Sequence, residues 1–118
     1  MPLKSLLLLF VFPFFLSAPP EKVMEWKSPI DHEFGDIKQG VPVTFDFKFQ
    51  NLTDTPLTID AVRTTCGCTA SDWSEVPTDP NAMGSVPITF DARKTGYFYK
   101  KIKVFFHGQR KGERLTIS

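Results

Sequence analysis

The 118-residue chain holds two cysteines, Cys66 and Cys68, and both fall in one place. Two distant cysteines would be needed to bridge the sheets of an antibody-type domain, so that device is excluded. The chain's two histidines, His32 and His107, are the only imidazoles available to complete a four-coordinate zinc site, and no spacing brings them to the cysteines. There is no Gly-x-Ser-x-Gly, no phosphate loop and no Gly-x-Gly-x-x-Gly. The acids Asp31, Glu33, Asp36 and Asp91 show no spacing that marks a general acid/base pair. No charge surplus exists either: 14 basic residues stand against 13 acidic ones. That balance argues against nucleic acid as the general partner. Nothing beyond residue 18 sustains a 3.6-residue period, so a helix longer than a turn or two is not expected.

The single long apolar run is at the start, from Leu6 to Leu16, preceded by Lys4 and followed by Ser17 and Ala18. This pattern reads as a signal peptide over residues 1–18, being too short for a spanning helix, which needs about 20 apolar residues. Pro19 and Pro20 are poor residues after a scissile bond and leave the cut position open. Residues 19–25 then form a short linker and 26–118 one domain, exported to the periplasm or beyond, with no transmembrane segment after signal removal. Without Lys4 the two charge signs balance, but unevenly: from Arg93 onward there are eight basic residues and one acid, Glu113. Such a run is either a set of solvated strand faces or a surface that orients a partner.

Alternation carries the fold. In residues 41–52, Val43, Phe45, Phe47 and Phe49 share one face while Thr44, Asp46, Lys48 and Gln50 share the other. Period two with aromatics marks a half-buried strand. Residues 57–66 put Leu57, Ile59 and Ala61 on one face and run into the cysteines; 86–93 alternate through Val86, Ile88 and Phe90. Residues 97–108 place Phe98, Ile102, Val104 and Phe106 in register, with Lys101 and Lys103 turned outward. Short pieces around Pro29 and at 114–118 complete about seven strands, which implies an all-β, immunoglobulin-like antiparallel sandwich. Asn51-Leu52-Thr53 fits a glycosylation acceptor but reads here as a turn.

The order of motifs is specific. Phe34-Gly35, Ile37 and Gly40 open it; Phe47, Phe49, Asn51, Pro56, Leu57 and Ile59 follow. Cys66-Gly67-Cys68-Thr69 with Trp73 comes next, and Phe90-Asp91, Gly96 and Ile102 to Val104 close it. In this the chain resembles the bacterial domain of unknown function 1573, small exported β-sandwiches common in Bacteroidetes and Planctomycetes. The resemblance implies an immunoglobulin-like sandwich related in shape to major sperm protein and Hydin-type domains, and no known reaction. The turn at 51–54 and the longer loop at 79–84 depart from the family pattern.

For the cysteines three readings stand open. In an extended strand, residues two apart have Cα atoms about 6.6 Å apart, at the margin of what a disulfide spans, so a bridge needs a kink that Gly67 makes cheap. It would close almost no loop and be comparatively oxidising. The first reading is therefore structural: thiols buried or bridged beside Trp73. The second is redox exchange, although no Cys-x-x-Cys before a helix is present. The third is a half-site for Cu(I) or zinc, with Cys66 and Cys68 as weak metal candidates. Trp73, Tyr97 and Tyr99 are candidate binding aromatics, although core packing is the commoner use of such residues. The expectation is a non-enzymatic exported module, without cofactor, that binds a protein or cell-envelope component; the alternative is a thiol-redox or soft-metal protein built on Cys66-Gly67-Cys68.

Overall fold

The computed structural model describes residues 22–118, and the expected signal peptide, residues 1–18, lies outside the described residues. Eight strands follow in order: β1 Met24–Trp26, β2 Asp31–His32, β3 Val43–Asn51, β4 Ile59–Thr64, β5 Thr69–Ala70, β6 Met83–Phe90, β7 Lys100–Phe106 and β8 Glu113–Ile117. They form two four-stranded sheets, β1-β3-β6-β5 and β2-β8-β7-β4, with no helix among the described residues. The all-β sandwich expected from the alternation is what the chain adopts. One pairing departs from the antiparallel rule: β2 runs parallel to β8, with Asp31 and His32 opposite Thr116 and Ile117. β1 starts at Met24, so the segment read as linker already supplies the start of a strand.

The alternating residues of β3 behave as their period requires. Phe47 and Phe49 are fully buried, whereas Thr44, Asp46 and Lys48 face water. From β6 come Val86, Ile88 and Phe90, and from β7 and β8 Ile102, Val104, Phe106, Leu115 and Ile117. Phe49 of one sheet meets Phe106 of the other edge to face at 4.9 Å, and Trp26 closes over Phe47, Phe49 and Phe106 at 5.9–6.4 Å. Such aromatic pairs add about 0.5–1.5 kcal/mol each beyond the area they bury. Gly84 lies opposite Phe49, and a Cβ there would fall 2.5 Å from the ring's Cζ. The glycine is thus the space the ring occupies.

Two expectations about strand faces change. A register shift between Ile59 and Ala61 leaves Asp60 as the extra residue of a β-bulge. Beyond it the faces exchange: Ala61 sits opposite the outward Phe105, and Val62, opposite Val104, packs on the core instead. A period-two reading cannot anticipate an inserted residue. At the other end β7 begins at Lys100, so Phe98 is not in a strand; it reaches the core by stacking on Phe90 at 4.1 Å.

The turn after β3 is organised by Asn51, fully buried. Its Nδ2 donates to the carbonyls of Thr55, Thr78 and Asp79 at 2.8, 3.0 and 3.2 Å. Its Oδ1 accepts from the Thr53 amide and hydroxyl at 2.9 and 2.7 Å. One side chain therefore ties the 51–55 turn to the 78–79 loop. The reading of Asn51-Leu52-Thr53 as a turn holds.

Candidate functional site at the cysteine corner

The chain changes sheets between β4 and β5, each the outermost strand of its own sheet. Only residues 65–68 make that crossing, and they form a turn rather than the continued strand the sequence suggested. The turn brings the Cys66 and Cys68 Cα atoms to 5.3 Å, and the two sulfurs are bonded as a disulfide. Of the three readings this is the bridged one. A disulfide presents no thiolate, so metal ligation at these sulfurs requires prior reduction. Neither histidine is arranged around the bridge: His32 stacks on Phe45 at 3.7 Å, half-buried rather than exposed, and His107 pairs with Asp60 at 3.4 Å.

The role expected of Gly67 needs correction. Its φ is not in the left-handed region, and a Cβ built on it meets nothing within 4 Å. Neither backbone geometry nor crowding demands glycine there. The position its side chain would take is open space.

Thr69 explains its own place after the second cysteine. It is buried, and its hydroxyl lies 3.7 Å from the Cys66 sulfur and 3.9 Å from the Cys68 sulfur, so it donates weakly toward the bridge. Thr64 steadies the corner from the other side, its hydroxyl 3.0 Å from the Cys66 carbonyl and 3.2 Å from that of Thr69. The Asp91 amide donates to the Cys68 carbonyl at 2.9 Å and so joins the corner to the segment after β6. There Ala92 is buried in the left-handed region (φ 56°), a conformation that costs an L-residue about 1–2 kcal/mol.

Between the corner and the loop from Asp91 to Lys100 lies an open cleft of about 430 Å³. The disulfide forms one wall; Arg93, Lys94, Tyr97 and Lys100 contribute to the other. Asp91 accepts from the Arg93 amide and pairs with its guanidinium at 3.5 Å. No ion pair among the described residues engages Lys94 or Lys100, so the cleft is cationic. Tyr97 is 87% exposed at its rim. The structure thus brings Cys66, Gly67, Cys68 and Tyr97 together. Tyr99 is exposed but does not line the cleft, and Trp73 packs against the core. Sequence reasoning missed Asp91 and Gly96 as cleft-lining residues; the basic run from Arg93 was the signal that pointed here.

The family described as "Protein of unknown function (DUF1573)" matches residues 24–118, and the chain belongs to that family. No curated protein matches the chain. Among solved structures, the PapD-like domain 7 of human CEP192 is similar with a TM-score of 0.69 at 16% identity, covering 98% of this chain and 94% of that one. A protein of unknown function from Porphyromonas gingivalis W83 is similar with a TM-score of 0.67 at 16% identity over 87% of this chain; the chain spans 49% of that protein's length. The Vibrio cholerae VesB protease is similar with a TM-score of 0.60 at 16% identity, over 80% of this chain and 31% of its own. At such identities the likeness is one of fold.

Proposed function

We propose, starting from membership of the DUF1573 family, that this chain is an exported, non-catalytic β-sandwich module. It binds another protein or a cell-envelope component through the loops and strand edges around its cysteine corner. The observation that carries this reading is Tyr97, an aromatic left almost wholly in water at the rim of a cationic cleft. Exposed aromatics of this kind are what interfaces use as anchors. The leader-like residues 1–18 support export, and the mass of the mature N-terminus checks it.

Capture from envelope extract tests the binding half. The wild-type chain should retain a component that Tyr97→Ala and Lys94→Glu release, with melting temperature unchanged, because both side chains are exposed. Equal retention by all three, or turnover of a thiol substrate, overturns the reading.

A second reading is favoured by one observation, the open space over Gly67: the disulfide exchanges with an external thiol. Alkylation under native conditions, with and without reductant, separates the two. A bridge that opens without unfolding the domain favours exchange; one that opens only in denaturant favours a structural corner.

A further inference from the structure

The outer face of the sheet β2-β8-β7-β4 carries a charge arrangement the cleft does not explain. Arg63 of β4 sits directly opposite Lys103 of β7, which sits directly opposite Arg114 of β8. All three are exposed, and Lys101 lies two residues along β7 on the same face. Like charges directly opposite one another destabilise a sheet. No ion pair among the described residues relieves them. Glu113, the acid of β8, is turned to the other face opposite Val104, where Trp26 and Gln109 donate to it. Asp31, at the sheet's far edge, accepts from the Thr116 hydroxyl. Arg63 has instead settled over the Phe105 ring, 5.6 Å from its centre. Gly112 leaves room for this layer, since a Cβ there would fall 2.8 Å from both Lys103 Cγ and Phe105 Cε1.

We infer that this face binds an acidic polysaccharide, a chain bearing carboxylate or sulfate groups at close intervals. The inference rests on the binding-module reading and adds to it a second surface with a ligand of stated chemistry. Cations on neighbouring strands stand about 4.8 Å apart, so the row suits closely set anions. Protein partners are disfavoured because interfaces need desolvated apolar anchors and avoid lysine. The exposed large apolar side chains, Val76, Met83 and Tyr97 among them, all lie outside β4, β7 and β8. Nor does a sheet face offer the free backbone groups by which a peptide adds as a strand. Single-stranded nucleic acid wants bare rings for its bases, and Arg63 already covers Phe105.

The test titrates the full chain with polygalacturonate and with dextran sulfate, taking uncharged dextran, polyglutamate and a single-stranded oligonucleotide as comparators. At least one acidic polysaccharide should bind best, with an affinity that falls as salt rises. The triple variant Arg63→Gln, Lys103→Gln, Arg114→Gln should lose about tenfold or more. It should melt no lower than wild type, because the opposed charges are gone. A control, Lys38→Gln, Lys48→Gln, Arg110→Gln, removes equal charge elsewhere and should bind as wild type. No binding of either polysaccharide, equal loss in both triples, or tighter binding to polyglutamate or the oligonucleotide overturns the inference. Envelope capture dependent on Tyr97 would survive that failure, so the broader reading is judged separately.

Discussion

Replacing Asn51 with alanine should strongly destabilise this domain, although the residue has no apolar side chain to lose. The amide makes five hydrogen bonds, three donated and two accepted, in a site with no exposed surface. Each is worth about 0.5–1.5 kcal/mol net, so losing all five in Asn51→Ala should cost about 3–5 kcal/mol, although the Thr55, Thr78 and Asp79 carbonyls keep the Thr53 hydroxyl and the Leu57 and Ala82 amides as donors. A domain of this size holds about 5–15 kcal/mol in total, so the loss is a large share. The melting temperature should fall by about 15 °C or more. Asn51→Asp sharpens the test. It keeps the acceptor for Thr53 but turns an oxygen toward the carbonyls of Thr55, Thr78 and Asp79, and should be at least as damaging as alanine. Urea unfolding followed by tryptophan fluorescence measures both. A cost below about 1 kcal/mol for alanine, or an aspartate milder than alanine, would show that the amide does not tie the two loops.

Gly84→Ala should destabilise by about 1–3 kcal/mol, since its methyl meets the buried Phe49 ring, whereas Gly67→Ala should stay within about 0.5 kcal/mol; chemical denaturation of the pair decides it. Cys66→Ser with Cys68→Ser should cost less than about 2 kcal/mol, because a bridge between residues two apart closes almost no loop, and calorimetry of the double variant checks this. Ala92→Val should cost about 2 kcal/mol or more, as a β-branched residue tolerates the left-handed region poorly, and the 91–100 loop should then exchange amide hydrogens faster. Phe47→Ala should cost about 3–5 kcal/mol by thermal melting.

Legibility in the sequence followed the range of the interactions involved. β3 and β6 could be read from Phe47, Phe49, Val86 and Ile88 because the pleat alone dictates which side each residue takes. The bulge at Asp60 was invisible, since an extra residue in a strand has no compositional mark. Neither was the parallel pairing of β2 legible, because two residues are too few to show a period. At the site, Cys66 and Cys68 announced themselves, but Asp91 and Ala92 take their places through backbone contacts with Cys68 and Gly40, distant in sequence, that no local pattern encodes. Gly67 showed the reverse failure: the conformational freedom that motivated it goes unused.

The lengths of the outermost strands bear on how the molecule behaves in a crowded solution. β1, β2 and β5 are two or three residues long, too brief to template another chain. Among the described residues β4, six residues long and bent by its bulge, is the one outermost strand longer than three residues, while β1 covers only Phe49 to Asn51 of the longer β3. Any tendency of this protein to polymerise ribbon to ribbon should therefore start from β4 or from the uncovered first half of β3, and a lysine or proline placed at either would be the first remedy for precipitation.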